Sequence, residues 1–230
     1  MPRFARKVIP DVPYHVVQRA SHQEFILDSE RLRATMMSML MEWRERTGVA
    51  VGAFVLMGNH FHLAASSPTQ DALGQMLGRA CAEFSRFRNA LLGKRGPNWQ
   101  GRFWAAPMDA VYAVDAVAYI ERNPAAAGLV EDPTDWPWSS AAHHCGLGPK
   151  PAIVTADFRP PDVSCRDWHR LLRQPTDERL RSEIKAATSC GRPLGAAEWR
   201  ADVEAMLGLP PHRPRGRPRK QVAPSPCHAA

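Results

Sequence analysis

Phe54-Val55-Leu56-Met57-Gly58-Asn59-His60-Phe61-His62-Leu63-Ala64-Ala65 places two apolar runs on either side of a Gly-Asn pair. Gly and Asn accept positive φ, so the pattern predicts a β-hairpin. In a strand over residues 60–65, successive side chains leave opposite faces. His60 and His62 then project from one face, and Phe61 and Leu63 from the other, toward a core. Two imidazoles at i and i+2 can hold one divalent ion, for which neutral imidazole is a common ligand. Two nitrogens do not complete a shell, so a third ligand must come from elsewhere. Taken alone, such a pair is more often two half-exposed polar residues.

A second stretch changes that balance. In Tyr119-Ile120-Glu121-Arg122-Asn123-Pro124, Tyr119 and Asn123 are four apart and share a helix face. Asn123 offers an oxygen ligand and Tyr119 a hydroxyl nucleophile. Pro124 lacks an N–H and restricts its predecessor, which puts Asn123 at or near the final turn. A metal and a tyrosine together equip a site to attack a phosphodiester.

Upstream of the hairpin, residues 12–19 read as a first strand, with Pro13 fitting only near its start. Ser29 or Asp28 caps a helix through about 46, which carries Leu32, Met36, Met37, Leu40 and Trp43 on one face and ends at Thr47-Gly48. Residues 49–57 and the histidine segment are strands two and three. A helix over about 71–92 is expected to bury Leu73, Met76, Leu77, Ala80, Phe84, Phe87 and Leu91. Its exposed side carries Arg79, Arg86 and Arg88, as a solvated face or as phosphate contacts. The loop over 93–101 holds Lys94, Arg95 and Trp99, and Arg102 opens a fourth strand over 102–108. Basic residues interleaved with aromatics suit single-stranded nucleic acid, with bases stacked on aromatic rings. The alternative is that Trp99 and Phe103 are core aromatics. A helix over 114–123 carries the tyrosine.

Strand, helix, strand, strand, helix, strand is the split β-α-β order of ferredoxin-like folds. The fold class expected is α+β: an antiparallel sheet with helices on one face and the other face open. Residues 177–187 and 196–207 read as two short helices of a helical extension. The division expected is a catalytic domain over 1–145, that extension over 146–209, and a disordered basic tail over 210–230.

The chain of 230 residues is long enough to bury a core. No apolar run approaches the roughly 20 residues that span a bilayer, and no signal peptide is read, so the expectation is a cytoplasmic protein with no membrane association. The five cysteines are scattered and suggest neither a disulfide framework nor a metal spacing. The net charge is +7, of which Arg213, Arg215, Arg217, Arg219 and Lys220 supply five. Such a balance favours a polyanionic partner.

Met57-Gly58-Asn59-His60-Phe61-His62-Leu63, Gly96-Pro97-Asn98-Trp99-Gln100-Gly101-Arg102-Phe103, the run from Tyr119 to Val130, and Trp136-Pro137-Trp138-Ser139-Ser140 occur in an order that resembles the HUH single-tyrosine transposases. The closer resemblance is to REP-associated tyrosine transposases (RAYTs) of bacteria, over roughly residues 1–145. That resemblance implies the HUH endonuclease fold, Mg²⁺ or Mn²⁺ as cofactor, and cleavage and rejoining of single-stranded DNA hairpins of the REP palindrome type. It implies that His60 and His62 are metal ligands, Tyr119 the nucleophile and Asn123 the third ligand. Gly58 stands where Pro or Thr is often found. The tail resembles an AT-hook, in which Arg215 and Arg217 would enter an A·T-rich minor groove. Related enzymes are monomers, or dimers that exchange the tyrosine helix; the long extension favours a monomer here. Two alternatives stand: a domesticated hairpin-binding protein without catalysis, and a hydrolytic metalloenzyme using His143-His144.

Overall fold

The computed structural model describes residues 8–210. Four strands, β1 (Pro13–Arg19), β2 (Ala50–Leu56), β3 (His60–Ser66) and β4 (Trp104–Pro107), form one sheet in the order β2-β3-β1-β4. All neighbours are antiparallel. Helix α1 (Glu30–Thr47) joins β1 to β2, and α2 (Ala72–Leu92) joins β3 to β4. This is the ferredoxin-like arrangement the element order predicts. Ser29 caps α1 by accepting from the Leu32 amide, and Gly48 closes it at φ 70°. A left-handed residue there costs glycine nothing.

The pleat sorts the sheet's side chains. Tyr14, Val16, Phe54, Leu56, Phe61 and Leu63 meet Met36, Leu40, Met76, Leu77 and Phe84 of α1 and α2 in one apolar core. Phe61 and Leu63 are wholly buried, each gaining roughly 1.5–3 kcal/mol over an exposed position.

The opposite face, expected to be open, is covered. Helix α3 (Ala110–Ala126) packs on β2, β3 and β1, and α6 (Glu178–Cys190) packs on β4 and β1. Small residues allow this approach: Ala53, Ala64 and Ala106 from the sheet meet Ala113, Ala116 and Val117 of α3. Between and after them come α4 (Ala141–His144), α5 (Cys165–Leu172) and α7 (Ala197–Leu207). The segment after residue 145, expected as a helical appendage, therefore returns to the sheet. Thr155 and Ala156 both donate to the Val51 carbonyl, and the Leu194 amide donates to Pro107.

Two local readings are corrected. The hairpin has two loop residues, but neither Gly58 nor Asn59 takes positive φ. A Cβ at Gly58 would lie 2.6 Å from the ring of the exposed Phe25, which would have to shift. Helix α3 starts before residue 114, since Asp109 caps it by accepting from the Tyr112 amide. It also continues past Pro124 to Ala126, with Asn123 in its last turn as expected.

One buried carboxylate ties α3 to the elements C-terminal to it. Glu121 is fully buried. It accepts from Ser140 Oγ, His144 Nδ1 (2.6 Å) and Trp168 Nε1 (2.8 Å). Among the described residues no helix is long and apolar enough to cross a membrane. The AT-hook-like segment with Arg215 and Arg217 lies outside the described residues.

Candidate functional site

The register across β3, β1 and β4 builds the site. Arg19 pairs with His60, and Val17 with both His62 and Trp104. Residues directly opposite share a face, so His60, His62, Arg19 and Trp104 all point away from the α1/α2 core, as does His15 two residues from Val17. Helix α3 crosses this face and brings Tyr119 edge-on to His62, with ring centroids 5.7 Å apart at 84°. It stands in the same way to His15, at 5.6 Å and 85°.

His60, His62, Tyr119 and Asn123 line one cleft of about 610 Å³. The tips of β1 and β3 and the last turn of α3 form one wall. The connection from α5 to α6, with α6 itself, forms the other. Arg19, Arg122, Arg173, Arg181 and Lys185 line it against only Glu131 and Glu178. Arg122 is pinned by donating to the Leu171 and Leu172 carbonyls. A cationic concavity of this kind favours a phosphodiester backbone.

The protonation of the three histidines follows from burial. Desolvation pulls His60 down to about 4, with help from Arg19 and Lys185. Burial pulls His15 down to about 3. His62 lies well below the ordinary value, through burial first and then the neighbouring His60 and His15. All three are neutral at pH 7, the form that ligates metals. Asn59 Oδ1 lies 2.6 Å from His60 Nδ1, and Asn59 Nδ2 donates to the Gln23 carbonyl. A carbonyl oxygen only accepts, so Nδ1 of His60 carries the proton and Nε2 is the bare nitrogen.

Burial raises the Tyr119 phenol, opposed by the Asn123 side chain and by the charges on Arg181 and Arg19. Tyr119 is 7% exposed. Asn123 Nδ2 donates to the Tyr119 carbonyl at 3.0 Å. Among the described residues no group of three or more His, Cys, Asp and Glu side chains could hold a metal. The donors that line the cleft are two imidazoles and one carboxamide oxygen, a set that could hold a divalent cation with water or phosphate completing the shell.

Other expected contacts fall elsewhere. Trp99, expected to stack on bases, is a core residue. It is buried, donates to the Cys81 carbonyl and packs against Phe61 and Phe84. Trp104, which the sequence reading placed only in a strand, is the tryptophan beside His62 and Tyr119, in a groove it shares with Gln100 and Lys185. Arg79 and Arg86 ride on α2, across the sheet from the histidines. Arg79 lies over the Trp43 ring and Arg86 near Glu83. Lys94, Arg95 and Arg102 are exposed in the α2–β4 connection, away from the cleft lining. The sequence reading also missed His15, Arg19, Arg122, Arg181 and Lys185. Strand alternation would have flagged His15 and Arg19; nothing local marks the residues of α6.

The family model for IS200-like transposases matches residues 8–123, half of the chain. This chain belongs to the IS200-like transposase family. The match ends on Asn123, so α6 lies beyond it. Among solved structures, the transposase resembles one of a REP-associated tyrosine transposase bound to a REP hairpin. The likeness has a TM-score of 0.52 at 19% identity, over 71% of this chain and 97% of that one. It also matches a candidate transposase from Deinococcus radiodurans at 15% identity, over 52% of this chain and 96% of that one, where a TM-score of 0.38 carries no argument. No curated protein matches the chain.

Proposed function

We propose that this transposase cleaves and rejoins single-stranded, hairpin-bearing DNA through a covalent 5′-phosphotyrosine on Tyr119. The observation that supports this most is the convergence of His60, His62, Tyr119 and Asn123 on one cationic cleft. Arg19, Arg181 and Lys185 receive phosphate oxygens and hold the backbone across the phenol. Tyr119 Oη bonds to phosphorus as the bond from phosphorus to the 3′-oxygen breaks; the phenol loses its proton and the 3′-oxygen leaves as a hydroxyl. One phosphodiester replaces another, so an incoming 3′-hydroxyl can reverse the step without ATP. Because burial keeps the phenol protonated, proton loss accompanies attack, favoured by the two nearby guanidinium groups. His60, His62 and Asn123 would hold a Mg²⁺ or Mn²⁺ ion, which would supply charge withdrawal from the scissile phosphate. The likeness to a transposase bound to a REP hairpin makes such hairpins the substrate to test.

The full chain is incubated with labelled hairpin DNA and Mn²⁺, then run on a denaturing gel. The wild type gives a protein–DNA adduct. Tyr119→Phe loses it by more than about 10³-fold while still binding the hairpin. An adduct of unchanged yield in that variant removes Tyr119 from the mechanism. One observation favours a second reading, binding without cleavage: the phenol is almost enclosed, edge-on between two imidazoles. Tight hairpin binding with no adduct under Mg²⁺ or Mn²⁺ selects that reading.

A further inference from the structure

We propose that Thr188 of α6, acting through His15 of β1, is a positioning residue that fixes His62 in the tautomer with a bare Nε2, so that the C-terminal extension is part of the metal site. This role deepens the proposed function and rests on His62 being a ligand there.

Counting protons along the contacts leads to that tautomer. Thr188 is buried inside α6, and its hydroxyl lies 2.7 Å from the Ile184 carbonyl one turn back. That carbonyl can only accept, so it takes the single hydroxyl proton. Thr188 Oγ1 also lies 2.7 Å from His15 Nδ1. Having spent its proton, the oxygen accepts there, and His15 Nδ1 is the donor. His15 is buried and meets no carboxylate through either nitrogen; its two partners are Thr188 and His62. A charge on that ring would have no anion to offset its desolvation. A neutral ring has one proton, so Nε2 of His15 is an acceptor. His62 Nδ1 lies 2.9 Å from it and must donate. The nitrogen left to His62 is Nε2, unprotonated.

The relay therefore runs from the Ile184 carbonyl through Thr188 and His15 to His62, and the two rings lie nearly parallel, 12° apart. The result matches His60, whose Nδ1–H is held by Asn59. Both imidazoles then offer the same nitrogen, but by different means. His60 is set by its own neighbour in sequence. His62 is set by a residue 126 positions later. Reversing the Thr188 hydroxyl would reverse every proton in the relay and place a hydrogen on His62 Nε2, where no cation could bind. A ligand's outer partner fixes its tautomer and orientation, and losing it typically lowers metal affinity by about 10–100-fold.

Two measurements on the full chain test this. Long-range ¹⁵N–¹H correlation NMR of the metal-free wild type reads each imidazole's protonated nitrogen directly; Nδ1–H is expected at His15, His60 and His62. A proton on His62 Nε2 overturns the proposal, and this reading needs no variant to fold. Mn²⁺ titration followed by electron paramagnetic resonance then compares Thr188→Val, which keeps the shape, with Thr188→Ser, which keeps the hydroxyl. Valine is expected to weaken Mn²⁺ about 10-fold or more, and serine to restore it. Equal affinity in Thr188→Val and wild type overturns the relay, provided His62→Ala loses Mn²⁺. If His62→Ala binds Mn²⁺ as well as wild type, the metal-site reading itself fails, and the relay's role fails with it.

Discussion

The two faces of the sheet are built from the same strands by opposite rules. On the α1/α2 side, β3 contributes Phe61 and Leu63 to a core where side chains need only volume. On the α3/α6 side it contributes His60 and His62, each hydrogen-bonded through Nδ1 to a specific partner. The first face is stabilised by area removed from water and tolerates exchange of one apolar group for another of similar size. The second depends on which atom carries a proton. Stability and chemistry are thus separated by one residue step along a single strand.

The strongest way to break that comparison is to cut the apolar face alone. Phe61→Ala should cost about 3–5 kcal/mol, measured by urea unfolding, while the variant that still folds keeps its Mn²⁺ affinity. A loss of affinity far beyond the unfolded fraction would mean that the two faces are not independent.

An effect of comparable size comes from acid acting on the histidine face. His15, His60 and His62 are depressed in the fold, whereas in the unfolded chain they titrate near 6.5. Above that value both states are neutral and stability is level. Below it the unfolded chain binds protons that the fold refuses, so stability falls as pH falls, by about 1.4 kcal/mol per pH unit for each histidine. The decline eases once pH reaches about 4, where His60 protonates in the fold. Thermal melts in EDTA from pH 7.5 to 5 should show this drop; a flat melting temperature across that window would contradict the neutral, buried assignment.

The smallest effect tests a negative. Arg86→Ala removes an exposed charge on α2, behind the sheet from the cleft. Its effect on stability should stay within about 0.5 kcal/mol, and hairpin affinity should hardly change in a gel-shift titration. A large loss of binding would move the DNA path onto the α1/α2 side.

Much of this division was legible in the sequence, because strand and helix periods are local. Alternation separated His60 and His62 from Phe61 and Leu63, and the i, i+4 spacing put Tyr119 and Asn123 on one helix face. Illegible were the contacts set by pairing at a distance. Which tryptophan reaches the histidine face depends on β4 pairing with β1, and that pairing turns Trp104 toward the histidines while Trp99 turns into the core. Thr188 sits in a helix whose own pattern reports only that it is amphipathic. The covering of the second face was likewise invisible, since small alanines on a strand read as weak core rather than as room for another helix.

Glu121 sits two residues past the phenol, and its donors Ser140, His144 and Trp168 come from α4, the turn before it, and α5. The buried carboxylate thus anchors the tyrosine helix from its C-terminal side, and removing its donors would leave it unpartnered in the interior, a penalty of several kcal/mol.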